Sequence, residues 1–281
     1  MRKDLHEENR LSWNAATVAH NSHKGDQAAF FRTGGNQLHP EERILLGNIQ
    51  GLSVAHLQCN SGQDTLSLAH LGARVVGVDI SDAAIDFARQ LSHNVGIPAT
   101  FVRADVYDWL RETARGQERF DTVFSSYGAL CWLSDLQMWA QGIFSVLVPG
   151  GRFVTIEYHP VGSLFDEQME RKYSYFMHGE ALTWEEGVED YVAKSGLREA
   201  ASGVKNFQNP HRVHEFLWGI GEVISALLEA GFVLTSFKEY PYTQGFKPFE
   251  EMQRAEDHWS LPPHQPTIPL MFSLSAQTPL R

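Results

Sequence analysis

A chain of 281 residues, 43% apolar and 20% charged, is long enough to bury one sizeable core, alone or with a cap, and its composition excludes a disordered protein. The net charge of −11 argues against a nucleic-acid partner, because such binding draws on basic patches that release counterions. With only Cys59 and Cys131, no apolar signal-peptide core at the start and no run of membrane-spanning length, the expectation is a cytoplasmic protein without a membrane partner.

Residues 1–48 read as an N-terminal cap, polar and aromatic, closing with a short helix at 40–47 that has proline in its first turn, early acids and glycine past its end. From residue 53 strands and helices alternate. Strands are expected at 54–57, 74–78, 100–103 and 120–125, with helices at 64–71, 81–95 and 139–147 between or after them. The second helix shows Ala84, Ile85, Ala88 and Leu91 at helical spacing and Ser81 as its N-cap. Pro149-Gly150-Gly151 reads as a turn into a fifth strand at 152–157, ending the core at 49–158. Residues 159–213 are too long for a bare connector and are expected to form a lid. A C-terminal part, 214–281, adds a helix at 221–230 and strands at 232–239 and 269–276. The fold class is therefore α/β, a doubly wound seven-stranded sheet in a single domain with a cap and a lid insertion.

The densest signal is Val54-Ala-His-Leu-Gln-Cys-Asn-Ser-Gly62, followed seventeen residues later by Asp79 at the tip of the second strand. In a doubly wound sheet these two strand ends lie side by side, so the turn can bring backbone close to a nucleoside while Asp79 accepts from both ribose hydroxyls. The pattern resembles that of class I S-adenosylmethionine-dependent methyltransferases, with their Rossmann-like sheet, over roughly residues 40–276. His56 stands where that family carries an acid, and Gln58 and Asn60 stand for the first two glycines of its Gly-x-Gly-x-Gly turn, leaving Gly62. A dinucleotide enzyme needs those glycines to reach a pyrophosphate, whereas the methyl donor has none. Asn60 tolerates the left-handed backbone such a turn demands.

The resemblance implies S-adenosyl-L-methionine as cofactor and an adenine-edge role for Asp105, with Val106 packing on the ring. Ser125 and Tyr127 end the fourth strand, where donor and acceptor meet, and Trp132 lies beyond. Trp13 belongs to an N-terminal stretch rich in polar-ligand groups, including His20, His23, Lys24 and Gln27, that is expected to close over the donor. The expected cofactor-binding set is thus Trp13, Gln58, Asn60, Gly62, Asp79, Ile80, Asp105, Val106, Ser125 and Trp132. A general base is sought among His23, Tyr127, His159 and His178, histidine being suited by its near-neutral pKa. The sequence holds thirteen histidines, but His20/His23 and His211/His214 fit no metal-ligand pattern, and no metal is expected.

The implied activity is methyl transfer to nitrogen or oxygen of a small, aromatic or heterocyclic metabolite, the ring character resting on the aromatic lid (Phe165, Tyr173, Tyr175, Phe176, Trp184, Tyr191). Those rings equally suit the lid's own core or the interface of a homodimer. A nicotinamide-dependent oxidoreductase of the same fold and a non-catalytic S-adenosylmethionine-binding or regulatory protein stand as alternatives.

Overall fold

The computed structural model describes residues 1–194, 203–255 and 258–280; part of the expected lid, 195–202, lies outside them. Three helices come first: α1 (Lys3–Ser22), α2 (Gln27–Arg32) and α3 (Pro40–Leu46). The alternating stretch then runs β1 (Ser53–Leu57), α4 (Gln63–His70), β2 (Arg74–Asp79), α5 (Asp82–Val95), β3 (Thr100–Arg103), α6 (Val106–Arg115), β4 (Phe120–Ser126), α7 (Leu136–Val146) and β5 (Leu147–Tyr158). Beyond it lie β6 (Ala181–Trp184), α8 (Tyr191–Lys194), β7 (Val213–Phe216), α9 (Ile220–Glu229), β8 (Val233–Tyr240), β9 (Tyr242–Gln244), β10 (Gln253–Ala255), β11 (His258–Ser260) and β12 (Met271–Gln277).

Local chemistry sets most boundaries. The Ser81 hydroxyl accepts from Ala84 N (3.1 Å) to start α5, and Gly96 ends it in the left-handed region at φ 69°. Asp135 caps α7 by accepting from Met138 N (2.9 Å), which is why that helix begins three residues before the expected Trp139. The expected turn at Pro149-Gly150-Gly151 is instead part of a continuous β5. Pairing with β4 steps from Phe120 opposite Leu147 to Thr122 opposite Arg152, so the extra residues form a bulge in which Gly150 takes φ 76°.

The central sheet has seven strands in the order β3-β2-β1-β4-β5-β12-β8. β1 pairs in parallel with both β2 and β4, while β12 lies antiparallel between β5 and β8. Side chains of β1 alternate between faces: Ala55 and Leu57 join a core with Trp139, Ile143 and Leu227 from α7 and α9, whereas Val54 joins Leu46 and Leu68 from α3 and α4. A chain that leaves β1 toward β2 and later returns to its other side at β4 opens a crevice at the carboxyl ends of those strands.

Two features were not expected from sequence. The polar N-terminal stretch contains the 20-residue α1, and the connection between β8 and β12 carries a small sheet of order β10-β11-β9. In the 159–213 region β6 and β7 pair antiparallel, and Val188 and Val213 pack with Trp13, Ala16, Trp132, Trp184 and Tyr191. The segments read as cap and lid therefore share one apolar cluster. No helix among the described residues is long and apolar enough to cross a membrane.

Gly62 sits at the start of α4 with φ 77°, and a Cβ placed on it would lie 2.6 Å from Ala88 Cβ and 2.7 Å from Phe101 Cε1. Gly62→Ala is therefore expected to lower stability by about 2 kcal/mol through left-handed strain and overpacking, read as a shifted midpoint in chemical denaturation.

Candidate active site

The crevice widens into a cavity of about 510 Å³ at the ends of β1, β2, β3 and β4. Its floor is the turn after β1. Gln58 (φ 53°), Asn60 (φ 46°) and Gly62 (φ 77°) all adopt left-handed backbone, so the turn keeps the alternation of three glycines with only one present. Each non-glycine residue there costs about 1–2 kcal/mol of local strain, offset by side-chain bonds. Gln58 Nε2 donates to Ala129 O (2.7 Å), tying the tip of β1 to the loop after β4, and Asn60 Oδ1 accepts from Ser61 N (2.6 Å) and Ser61 Oγ (2.9 Å).

Asp79 ends β2 beside this turn. Its Oδ2 accepts from Asn60 N and its Oδ1 from Ser81 N, both at 2.8 Å. Burial pushes its pKa up to about 6, only partly opposed by these backbone bonds. The side chain lines the cavity with Ile80.

Asp105 has a double part. Oδ1 caps α6 by accepting from Tyr107 N (2.9 Å), and Oδ2 lies 2.7 Å from His6 Nδ1, whose Nε2 is 2.8 Å from Ser134 Oγ. Burial is the largest single influence and raises the Asp105 pKa, but the bond to His6, the charge of His6, the Tyr107 backbone bond and the charge of Lys3 together outweigh it and leave the carboxyl below its ordinary value. His6 stacks on Tyr107 with centroids 5.5 Å apart. His6, Asn9 and Trp13 recur at helical spacing on α1 and form one wall of the cavity. The adjacent stripe fastens α1 down: Arg10 pairs with Asp82, and Asn14 Oδ1 accepts from Ser81 Oγ (2.7 Å).

Of the expected site residues, Trp13, His23, Gln58, Asn60, Asp79, Ile80, Asp105, Val106, Tyr127 and Trp132 line the cavity. Gly62 lies beneath it as a packing residue. Ser125 is fully buried with its hydroxyl turned away, and strand alternation gives the lining position to Ser126. His159 and His178 lie outside the cavity and are corrected as base candidates. His159 Nδ1 accepts from Val161 N (3.1 Å) and its Nε2 lies 2.9 Å from Glu239, while the exposed His178 pairs with Glu222 at 2.9 Å. His20 is also structural: burial lowers it to about 4, and its Nε2 lies 2.8 Å from Glu189 O. His6, His39 and Asp64 were missed, since only tertiary docking brings them to the strand ends.

Tyr127 holds a strained φ of 38°, and its buried hydroxyl lies beside the Glu42 carboxyl without closing a hydrogen bond. Burial, then the nearby charge of Glu42, drives its pKa well up, so the phenol stays protonated. The His39 ring stands edge-on to it at 5.9 Å. Glu157, near the end of β5, builds the loop after β4. It accepts from Gly128 N (2.7 Å), Ala129 N (2.5 Å), Leu130 N (2.9 Å) and Tyr158 N (2.9 Å). Glu157→Gln turns an amide donor on these N–H groups and is expected to lower stability by about 2–3 kcal/mol, measurable by reversible denaturation.

A strand-order reversal roofed by helices, with an acid at the tip of the second strand, defines a doubly wound α/β domain with a ligand-sized crevice at its switch point. Residues 54–151 match the family model described as a methyltransferase domain. Thiocyanate methyltransferase 1 of Brassica oleracea is 31% identical over 104 residues, covering 36% of this chain and 43% of that protein. An S-adenosyl-L-methionine-dependent Diels-Alderase of Talaromyces variabilis is 31% identical over 119 residues, 42% of this chain and 40% of that protein. The chain thus spans under half the length of these curated relatives. A solved S-adenosylmethionine-dependent methyltransferase structure from Mesorhizobium loti superposes with a TM-score of 0.54 at 18% identity, covering 85% of this chain and 96% of the other. Residues 54–151 thus resemble a methyltransferase domain, within a fold shared with solved S-adenosylmethionine-dependent methyltransferases.

Proposed function

We propose that the protein binds S-adenosylmethionine in this cavity and transfers its methyl group to nitrogen or oxygen of a small molecule. The observation that carries the reading is the Asp79 carboxylate, fixed by Asn60 N and Ser81 N and lining a cavity at the β1–β2 tips. The lining also fits the cofactor: Gln58 Oε1 and the Tyr127 hydroxyl are buried polar atoms without a hydrogen-bond partner among the described residues.

In this assignment Asp79 takes the ribose hydroxyls and Asp105, Val106 and Trp132 bound the adenine end. When bound, S-adenosylmethionine supplies an electrophilic methyl group on a positively charged sulfur. The chain's own part is chiefly alignment and exclusion of water. The protonated Tyr127 phenol donates a hydrogen bond that orients the acceptor, and His39 beside it is the group placed to take a proton. His23 is tied to Asp190 at 2.9 Å and serves as wall rather than base. Of the lid's rings Tyr191 lines the cavity together with Trp13, Trp132 and Tyr127, which supports an aromatic or heterocyclic acceptor, while Phe165 packs against Phe249. Residues 1–48 and 159–213 act as cap and lid.

Calorimetry with S-adenosylhomocysteine, 5′-methylthioadenosine and NAD tests the reading: both adenosine thioethers bind and NAD does not, whereas binding of NAD alone would overturn it. Asp79→Ala is expected to weaken both thioethers by about 1.5–3 kcal/mol, the range for hydrogen bonds to a charged group.

The pH dependence follows from the ionised form being the acceptor of both hydroxyls. Because the free carboxyl titrates near 6, protonation removes the binding-competent form as pH falls through that value. Affinity for 5′-methylthioadenosine should thus be flat above neutrality and about tenfold weaker near pH 5, a dependence that Asp79→Asn abolishes.

A further inference from the structure

The connection from β8 to β12 does more than join two strands. It folds into the small sheet β10-β11-β9, and among the described residues Gly245 and Arg254 are the two that it sends to the lining of the cavity. Gly245 brings no side chain. What this insert offers a bound molecule is the guanidinium of Arg254, on a strand that pairs Arg254 with Trp259 of β11. The residue is exposed yet lines the cavity, which puts it at the rim.

Contacts of the insert fix which end of the cavity it serves. Tyr158, the last residue of β5, donates from its hydroxyl to Gln244 O (2.9 Å), and its ring centroid lies 5.9 Å from that of Tyr127. Tyr242 donates to Glu41 Oε1 (2.5 Å) in the first turn of α3, the helix that follows His39. The insert is thus fastened beside Tyr127 and His39, at the opposite end of the strand order from the tips of β2 and β3 that carry Asp79 and Asp105. Phe249, Met252, Leu261 and Leu270 are buried together beneath it, so the base of β10 is held in place. Lysine and arginine reach the described lining only as Lys24 and Arg254. Lys24 stands elsewhere, between Asn21 and Gln27, whose side chains bond to Ser61 (2.8 Å) and Gln63 (2.6 Å) beyond β1. Arg254 is the cation of the acceptor end.

We propose that Arg254 selects the acceptor by charge: the acceptor is a small ring compound that bears an anionic oxygen group, a carboxylate in the simplest case, and presents its reacting nitrogen or oxygen to Tyr127. The proposal rests on the reading of the cavity as an S-adenosylmethionine site. A chain of net charge −11, with Asp64, Asp79 and Asp105 in the lining, repels a small anion unless a cation answers it. The planar fork of a guanidinium matches a carboxylate edge to edge, and the positive sulfur of the donor favours the same guest. Because Arg254 stands at the rim, its pull is screened by salt and acts on capture of the acceptor.

Matched acceptors isolate the charge. The full chain is given S-adenosylmethionine with hydroxy- and aminobenzoates and hydroxypyridine carboxylates, each paired with its carboxamide, and released S-adenosylhomocysteine is measured. Acids are expected to exceed their amides in kcat/KM by about 5- to 50-fold. Arg254→Gln brings that ratio to within about threefold through KM rather than kcat, Arg254→Lys restores part of it, and added salt lowers it in the wild type. Calorimetry with S-adenosylhomocysteine certifies that each variant is folded, its affinity staying within about threefold of the wild type. The proposal is overturned if amides are methylated as readily as acids, if Arg254→Gln keeps the wild-type preference, or if the chain binds S-adenosylhomocysteine and methylates no acid of the series. A wild-type chain that does not bind S-adenosylhomocysteine removes the underlying reading as well, an outcome distinct from these.

Discussion

One carboxylate joins the two halves of the crevice. Asp79 accepts from Asn60 N on the turn after β1 and from Ser81 N at the start of α5. The first bond fixes the tip of β2 against the turn after β1, and the second ties it to the start of α5. Withdrawal from water makes the ionised state costly, and the backbone donors of Ser81, Asn60 and Ile80 recover only part of that cost. A group held in such balance is poised to gain from additional donors, which is the property a diol-binding acid needs.

The left-handed turn beneath it shows how a backbone path outlives its usual residues. Glycine is the cheap way to reach φ near 50°, yet Gln58 and Asn60 both do so here. Each returns a hydrogen bond that glycine could not make, Gln58 across to the β4 loop and Asn60 along its own turn. The turn is thus stiffened by side chains and coupled to the loop that carries Tyr127. Glu157 supports the same loop with three backbone bonds, so the far side of the cavity depends on β5 as firmly as the near side depends on β2.

The alternating core was legible because its signals are local: caps such as Ser81, the small-and-apolar stripe of α5, and an acid at a strand's end. Asp79 and Asp105 stood out for that reason. What failed to show was whatever needs a distant partner. His6, His39 and Asp64 belong to the cavity only because helices dock over the strand ends, and no spacing in the chain announces it. His159 and His178 erred the other way, carrying the right chemistry at places where a neighbouring glutamate had already claimed them. Ser125 missed by one residue, enough on a pleated strand to reverse a side chain. The Pro149-Gly150-Gly151 sequence looked like a turn, but a neighbouring strand can absorb such residues as a bulge.

The wall formed by α1 has an evolutionary corollary. Its contacting side chains sit on a helix that contributes no strand to the sheet and reaches the core through the stretch between Ser22 and Ser53. Changes on that helix can therefore accumulate without disturbing the pleated scaffold beneath. The amino terminus is where this cavity wall is freest to vary, while the tips of β1 and β2 stay tied to each other through Asp79.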